Sequence, residues 1–347
     1  MRSLVVRSDN AGDVLVSGPA IRAVANGSEH VTVLAGPQGD SAARLLPGVD
    51  HVECWECPWI SPTPSTVDRS VMDALLDRLT ELKIDRALVL TSFHQSPLPM
   101  ALTLRMAGIP WIGAISEDYP GALLDLRHRV DDMLPEPERA LSLARAAGFS
   151  LPERDDGSLA VRRPLPPARH LLPDEPFVVL HPGTSVPARA WPPDRFAETA
   201  RLLGEQGRTV VVTGAPGERD LTAAVAAGTE AIDLGGRTTW SQLAAVLDHA
   251  EALVVGNTGP AHLAAAVGTP VVSLYAPTVP AARWAPYGVR RILLGDQQAV
   301  CRDTRVTHCP YPGHPCLSSV SAADVADAVR QLSEPRVEPV GAERRNR

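Results

Sequence analysis

Two carboxylates, Asp9 and Asp13, lie in the turn that follows the first apolar run of the chain, Leu4-Val5-Val6. The run predicts a buried strand and the residues after the turn have helical spacing, so the turn is a place where α/β proteins bind ligands. A carboxylate there would repel a phosphate, but it could accept a proton from an attacking hydroxyl. The alternative is that Asp9 or Asp13 only caps the helix, which the pattern alone favours.

A second turn, in the segment GNTGPAHL, has the opposite electrostatic character. A strand is predicted to end at Val255, and Pro260 then takes a first helical position with Thr258 or Gly259 near the N-cap. The first helical turn contains no acid and leaves backbone N–H groups free, which suits an anion such as a diphosphate. His262 lies on the same turn and could face the ligand. An ordinary strand–turn–helix capped by Thr258 explains the pattern equally well.

Small hydroxyls and an arginine follow a strand that is predicted to end near His181. Thr184, Ser185 and Arg189 lie in the loop HPGTSVPARAW, where charge-assisted hydrogen bonds could hold phosphate oxygens. A solvated arginine on a loop is the commoner case, so this loop alone does not establish a phosphate site.

Glu218 follows the next predicted strand, in the turn TGAPGERD. Its carboxylate could accept hydrogen bonds from ribose hydroxyls, or it could complement the dipole of the helix that begins there. Both interpretations can hold together.

The cysteines give no standard metal pattern. Cys54 and Cys57 have CxxC spacing, but no second pair lies at zinc-finger distance, so we interpret them as two buried thiols. Cys301, Cys309 and Cys316 cluster with two histidines at spacings that match no standard zinc site. A metal site at this cluster stays open as an alternative, but no metal is expected. The chain also lacks GxGxxG after a strand and lacks GxxxxGK[ST], which disfavours nicotinamide enzymes and P-loop NTPases. No cofactor is expected.

Composition limits the class of partner. The 347-residue chain has a formal net charge of −7 and is 44% hydrophobic, so it can bury sizeable cores but lacks the basic surface that nucleic acid requires. No apolar stretch reaches the roughly 18 residues of a membrane span, so at most peripheral membrane contact is expected. The N-terminal apolar run is too short for a signal peptide. An odd number of cysteines, five, fits a cytoplasmic protein.

Strand-like runs alternate with helical patterns in two series, which predicts parallel sheets covered by helices. Between the series, the proline-rich and charged segment 150–175 predicts a linker. We therefore predict an α/β protein with two doubly wound, Rossmann-like domains, 1–160 and 175–333, that face each other across a ligand-binding cleft. The tail 334–347 lacks apolar periodicity and is predicted to be disordered.

The predicted strands are 3–7, 31–35, 50–54, 86–91, 110–115, 177–181, 209–213, 230–234, 252–256, 270–275 and 290–295. The clearest predicted helices are 67–83, 194–206, 217–228, 239–249, 260–267 and 320–333.

Five segments, in this order, resemble glycosyltransferase family 9, the ADP-heptose heptosyltransferases of lipopolysaccharide core synthesis and their relatives. GDVLVSGPAIRA is similar to the family's GDxLLTTPAI opening, and HPGTSVPARAWPPDRFAE to its PGxxxxxKxWPxxxFAE segment. TGAPGERD resembles its GxPxE turn, and GNTGPAHLAAAVGTPVVSLYAPT resembles its DTGxxHLAAAxxxPxxxLxGPT signature. CRDTRVTHCPYPGHPCL resembles its cysteine-rich segment before the last helix. The resemblance spans about residues 1–330.

This resemblance implies a GT-B fold and an inverting, metal-independent transfer. The donor would be a nucleotide diphosphate sugar, such as an ADP-heptose-like one, and the acceptor a glycan, a lipid-linked molecule or a small molecule. Asp13 falls on the family's general base, with Asn10 and Gly12 on the acceptor side. Arg189 falls where the family has a lysine on the donor diphosphate, and Glu218 on the ribose contact. The other donor-binding positions are Thr184, Ser185, Asn257, Thr258, Gly259, Pro260 and His262.

Two departures from the family pattern bear on the donor. Asn257 stands in place of an aspartate that contacts the sugar, so hydrogen bonding is kept and the charge is lost. Arg189 keeps the cation of the lysine but with a different geometry. Two alternatives on the same fold stay open. A nucleotide-sugar epimerase would need acid–base groups at the donor sugar, and a non-catalytic sugar-nucleotide-binding protein would tolerate Asp13→Asn.

Overall fold

The strands form two parallel sheets, one from each half of the chain. The computed structural model describes residues 1–61, 63–131 and 133–334. The first sheet contains β1 (Arg2–Arg7), β2 (His30–Ala35), β3 (His51–Cys54), β4 (Arg86–Val89), β5 (Trp111–Ile115) and β6 (Leu126–His128). The second contains β7 (Phe177–His181), β8 (Thr209–Val212), β9 (Ile232–Asp233), β10 (Ala252–Gly256), β11 (Val271–Leu274) and β12 (Arg291–Leu294).

All eleven predicted strands are confirmed, with ends within two residues of the predicted ones. The structure has one further strand, β6, which the sequence pattern does not predict because its three residues include a single apolar side chain, Leu126. It extends the edge of the first sheet beside β5.

Helices follow most strands. They are α1 (Ala11–Val16), α2 (Gly18–Asn26), α3 (Asp40–Ala43), α4 (Arg69–Glu81), α5 (Leu98–Met106), α6 (Glu136–Ala146), α7 (Pro193–Glu205), α8 (Arg219–Ala226), α9 (Trp240–Asp248), α10 (Gly259–Val267), α11 (Ala281–Trp284), α12 (Pro315–Ser318) and α13 (Ala322–Ser333). The six clearest predicted helices are confirmed to within two residues at each end.

The two sheets share one topology. Their spatial orders are β3-β2-β1-β4-β5-β6 and β9-β8-β7-β10-β11-β12, with every neighbouring pair parallel. In each sheet the order reverses beside the first strand, between β1 and β4 and between β7 and β10. Such reversal points leave a crevice outside the carboxyl ends of the strands. The prediction of two doubly wound α/β units is therefore confirmed, and each unit has one natural ligand crevice.

Apolar runs occupy the centres of both sheets because helices cover both faces. In β1, Leu4, Val5 and Val6 are all at most 2% exposed, as expected for a strand buried on its two sides. The reversal points are therefore built on rigid, central strands. No helix in the described part of the chain is long and apolar enough to cross a membrane.

The segment 150–175 contains one short 3₁₀ turn and neither strand nor α-helix. Its ion pairs reach elements on both sides of it: Asp155 binds Arg22 of α2 at 2.5 Å, and Arg163 binds Asp248 of α9 at 2.6 Å. It therefore fits the prediction of a connecting segment. Residues 335–347, nearly all of the tail predicted to be disordered, lie outside the described residues.

The two halves meet where α1 and α10 begin. A side chain added at Gly12 would lie 3.3 Å from the Cα atom of Gly259 and 3.1 Å from Cδ2 of His262. A side chain added at Gly259 would in turn lie 3.0 Å from the Trp240 ring. These are closer than normal packing allows without movement, so two glycines permit the two helix starts to touch.

Candidate active site

A cavity of about 300 Å³ lies between the carboxyl ends of the two sheets. Most of its lining comes from the loops and helix starts that follow β1, β4, β7 and β10, the four strands at the two reversal points, and the rest from segments after β3, β11 and β12. The structure brings nine of the sequence-predicted site residues to it: Asn10, Gly12, Asp13, Ser185, Arg189, Asn257, Thr258, Gly259 and His262. Residues that are about 170 to 250 positions apart in the chain thus line the same cavity. They meet because the two sheets have the same strand order and their carboxyl ends lie on either side of the cavity.

Asp13 faces this cavity from the first turn of α1. Its side chain is 16% exposed, and its Oδ1 accepts a hydrogen bond from Nη2 of Arg7 at 3.0 Å. The N-cap of α1 is Asn10, which makes no side-chain capping bond. The capping alternative is therefore wrong for Asp13: its carboxylate is held by a cation instead.

Arg7 is a charged residue at the end of a buried strand, and sequence analysis did not select it. It is 1% exposed and pairs with two carboxylates, because its Nε lies 2.9 Å from Asp9 while its Nη2 contacts Asp13. Gln95 donates to the other oxygen of Asp9 at 2.6 Å, and Ser92 accepts from Arg7 at 3.1 Å. This network fixes the orientation of Asp13 from behind. In the sequence, the one feature that points to this network is the position of Arg7 directly after the apolar run of a predicted strand.

The surroundings of Asp13 raise its pKa to about 7. Burial is the main cause, and the negative charge of Asp9 adds to it, while Arg7 acts in the opposite direction. A base with a pKa near the working pH is well matched to accept a proton and still be ionised often enough to do so.

Turnover is therefore expected to fall as the pH drops below about 7, because protonated Asp13 cannot accept a proton. In an Arg7→Met variant this limb of the pH profile should move to higher pH, since the cation that lowers the Asp13 pKa is gone. Arg7→Lys keeps a charge and should return the limb towards its original pH. Arg44→Met, at an exposed residue directly after α3, is the control. A profile that is flat from about pH 5 to about pH 9 would contradict this role of Asp13.

The opposite wall carries polar atoms that lack a protein partner. Nε of Arg189, Nδ2 of Asn257 and Nδ1 of His262 are buried, and none has a hydrogen-bond partner among the described residues. Buried polar groups are normally paired, so three such atoms around one cavity indicate that a ligand completes their bonding. Two of them, on Arg189 and Asn257, are N–H donors, which suit the oxygens of a phosphate or a sugar.

Arg189 and His262 have different charges at neutral pH. Burial lowers the pKa of Arg189, but a guanidinium keeps its proton in proteins. Burial, with a contribution from Arg189, lowers the pKa of His262 to about 4, so this imidazole is neutral. Arg189 donates weakly to the carbonyl of Asn257 at 3.4 Å and forms no salt bridge within the described residues. Its charge is therefore available to an anion.

The start of α10 adds to this wall. Its N-cap, Thr258, makes no side-chain capping bond, so the ordinary capped turn is not what the structure shows. The helix has nine residues, and its N-terminus, which no side chain caps, favours a negative charge beside it. Arg189, Thr258 and Gly259 thus line an electropositive side of the cavity.

Three predicted residues lie outside the lining of this cavity: Thr184, Glu218 and Pro260. Glu218 accepts from the backbone N–H of Ala215 at 2.7 Å and closely covers Gly183, where a side chain would lie 2.1 Å from Oε1 of Glu218. It stands beside the carboxyl ends of β7 and β8. Both interpretations of Glu218, local capping and ribose binding, are compatible with this place.

Phe93 and Arg305 line the cavity and are absent from the sequence predictions. The Arg305 guanidinium lies 5.3 Å from the centre of the Phe93 ring, and that of Arg283 lies 4.3 Å from it. Arg305 forms no salt bridge within the described part of the chain. It is thus a second cation, with Arg189, on the side of the second sheet. No sequence signal marks it, because it stands in an irregular loop.

The thiol predictions are confirmed in part. Cys57 is buried, whereas Cys54 is exposed, so the prediction of two buried thiols is wrong for Cys54. It ends β3, the edge strand of the first sheet, where one side has no neighbour. Among the described residues no group of three or more His, Cys, Asp or Glu side chains could hold a metal. Cys301 and Cys316 are buried among apolar residues that pack against the second sheet, and Cys309 is partly exposed.

Comparison with known proteins agrees with the fold. Lipopolysaccharide heptosyltransferase 3 of Escherichia coli is 32% identical over 164 residues, 45% of this chain and 46% of that protein. Lipopolysaccharide heptosyltransferase 1 of Salmonella typhimurium is 26% identical over 301 residues, 81% of this chain and 90% of that protein. The chain thus spans about half of the first relative and most of the second.

A solved structure described as E. coli ADP-heptose lps heptosyltransferase II superposes with a TM-score of 0.74 and 22% identity, over 96% of this chain and 98% of that one. At this identity the likeness supports the GT-B fold. The sequence match to the family described as glycosyltransferase family 9 (heptosyltransferase) covers residues 72–314. This range includes all of the second sheet and strands β4 to β6 of the first sheet. The chain belongs to glycosyltransferase family 9 and is a glycosyltransferase.

Proposed function

We propose that this protein is an inverting glycosyltransferase that transfers a heptose-like sugar from an ADP-linked donor. The acceptor is a hydroxyl of a glycan, of a lipid-linked molecule or of a small molecule. One observation carries the proposal: Asp13, an oriented carboxylate, faces Arg189 and the other unpaired donors across a single cavity. The names of the relatives, which are heptosyltransferases, and of the ADP-heptose enzyme of similar fold support the choice of donor.

In the proposed reaction Asp13 takes the proton of the acceptor hydroxyl as its oxygen attacks the anomeric carbon. The new bond to the acceptor oxygen forms while the bond to the diphosphate breaks. Because the base and the leaving group are on opposite walls, attack comes from the face opposite the diphosphate, and one such displacement inverts the anomeric centre. Arg189 and the start of α10 stabilise the charge that develops on the departing ADP.

We further propose that the transfer needs no divalent metal. Arg189 and Arg305 place two cations on the donor wall, and they supply the positive charge that a leaving diphosphate requires. Asn257 is 5% exposed and has an unpaired N–H donor where the family has a carboxylate. We propose that this amide donates to an oxygen of the donor sugar or phosphate, so the donor differs from that of relatives with an aspartate here.

The same reasoning gives the roles of the two halves. Residues 1–160 would supply the acceptor wall and the base, and residues 175–333 the donor wall. Glu218 is proposed to contact the ribose of the donor, and Thr184 to lie near its diphosphate. The five cysteines are all free, which supports a cytoplasmic location because that compartment keeps thiols reduced.

Calorimetric titration with ADP-, GDP-, UDP- and dTDP-sugars, each with and without EDTA, tests this proposal. We expect an ADP-sugar to bind best and EDTA to leave its affinity unchanged. Once an acceptor is found, the anomeric configuration of the product by NMR should be opposite to that of the donor. Selective binding of a UDP-sugar would favour the epimerase alternative, and loss of binding in EDTA would contradict metal independence.

A further inference from the structure

A second cavity, of about 230 Å³, adjoins the first on the side of the first sheet. The two share Asp9, Asn10 and Ile60 in their linings, so they are neighbouring cavities on the acceptor wall. All its described lining residues belong to the first 63 residues of the chain. If the proposed function holds, this annex is where the acceptor beyond its reacting hydroxyl must lie.

The described residues lining the annex include no lysine or arginine. Its polar side chains are hydroxyls, amides and two carboxylates, Asp9 and Glu56. Glu56 is exposed, accepts from Ser61 at 3.1 Å and forms no salt bridge within the described residues. Arg7, the nearest cation behind this wall, is 1% exposed and already paired with Asp9 and Asp13, so it has no charge to offer a ligand.

The main cavity shows the same division. Its lining from the first half of the chain has two carboxylates, Asp9 and Asp13, and no lysine or arginine. Its lining from the second half has Arg189 and Arg305 and no carboxylate. His94, on the first wall, has its pKa lowered to about 4 by burial and by Arg305, so it is neutral and adds no cation. Asp9 and Asp13 share one cation, Arg7, so the first wall has a net negative charge when Asp13 is ionised, whereas the second wall is positive.

We infer that the acceptor is a polyhydroxylated sugar without a negative charge, with an amine-bearing sugar as the best fit. Asp9 is already paired with Arg7 at 2.9 Å, so Glu56 is the annex carboxylate that has no cation partner among the described residues. An anionic group in the annex would face Glu56 and find no lysine or arginine in the described lining, and like charges brought together in this way oppose binding. A protonated amine would pair with Glu56, and sugar hydroxyls would bond to Gln38, Asn10 and the hydroxyl of Ser8, a buried atom that has no partner among the described residues. This inference rests on the proposed function.

Competitive NMR binding with three matched probes tests it: the methyl glycosides of glucosamine, glucose and glucuronic acid, added together to the enzyme with and without ADP. We expect the glucosaminide to bind at least about tenfold more tightly than the glucuronide, with the glucoside between them. In a Glu56→Arg variant the ratio of the affinity for the glucosaminide to that for the glucuronide should fall or invert. Glu153→Arg, an exposed change on the connecting segment, should leave the order as it was.

Equal or tighter binding of the glucuronide to the unaltered enzyme would overturn the inference, and so would an affinity ratio of glucosaminide to glucuronide that Glu56→Arg does not lower. These readouts need no turnover. Failure of the proposed function would appear separately, as an absence of ADP-sugar binding in the calorimetric titration, whatever the charge preference of the annex.

Discussion

The Asp13→Asn enzyme is expected to bind its donor as before and to lose turnover by at least about 100-fold, the usual scale for a general base. The amide matches the carboxylate in size and can still contact Arg7, which holds Asp13 through a bond of 3.0 Å. It cannot accept the proton of the acceptor. Asp13→Asn removes a negative charge that interacts with Arg189, which favours an anion beside that arginine, so donor affinity should not fall.

Single-turnover kinetics and donor titration on the same preparation measure the two effects separately. Asp40→Asn, in an exposed ion pair with Arg44 on α3, is a matched control and should retain turnover. If Asp13→Asn turned over at the normal rate, Asp13 would not be the base, and the non-catalytic alternative would gain support.

Arg189→Met is expected to weaken binding of ADP and of the ADP-sugar, and to lower turnover by about 10²- to 10³-fold, as for loss of one group that stabilises developing negative charge. Adenosine, which lacks the diphosphate, should bind equally well to both proteins. Arg189→Lys keeps the charge without the planar fork, so it should recover part of the loss.

Thermal unfolding provides the control for Arg189. Its Nε is buried without a partner, and burial lowers its pKa, so the unliganded protein gains little from this charge. Arg189→Met should therefore be at least as stable as the original protein when no ligand is present. Unchanged affinity for ADP in a folded Arg189→Met protein would contradict a role at the diphosphate.

The central strands of both sheets could be predicted from sequence because parallel strands covered on both faces are apolar throughout. The run from Leu4 to Val6 is one such strand. The ligand turns follow from the same pattern, since they come directly after these strands. That is why Asp13 and Arg189 could be named as candidates from the pattern, whereas their roles, and the selection of Asn257, came from the resemblance to the family.

Other features depend on tertiary contacts that a pattern does not contain. The partnership of Arg7 with Asp9 and Asp13 needs the turn after β1 to fold back over the end of that strand. Arg305 reaches the cavity from an irregular loop, with φ of 56°. Cys54 is exposed because β3 happens to be an edge strand, which local composition does not indicate.

The contact between Gly12 and Gly259 determines which parts of the cleft can change. Asp13 is the residue after Gly12, and Gly259 opens α10, so the proposed base and the proposed diphosphate site both lie beside this point of contact. If the two halves rotate about it, displacement grows with distance from the pivot, and the reacting centre moves least. Mutations in the outer walls can accordingly alter which acceptor is accepted while the spacing of the chemical groups persists, so acceptor choice can diverge between lineages faster than the reaction itself.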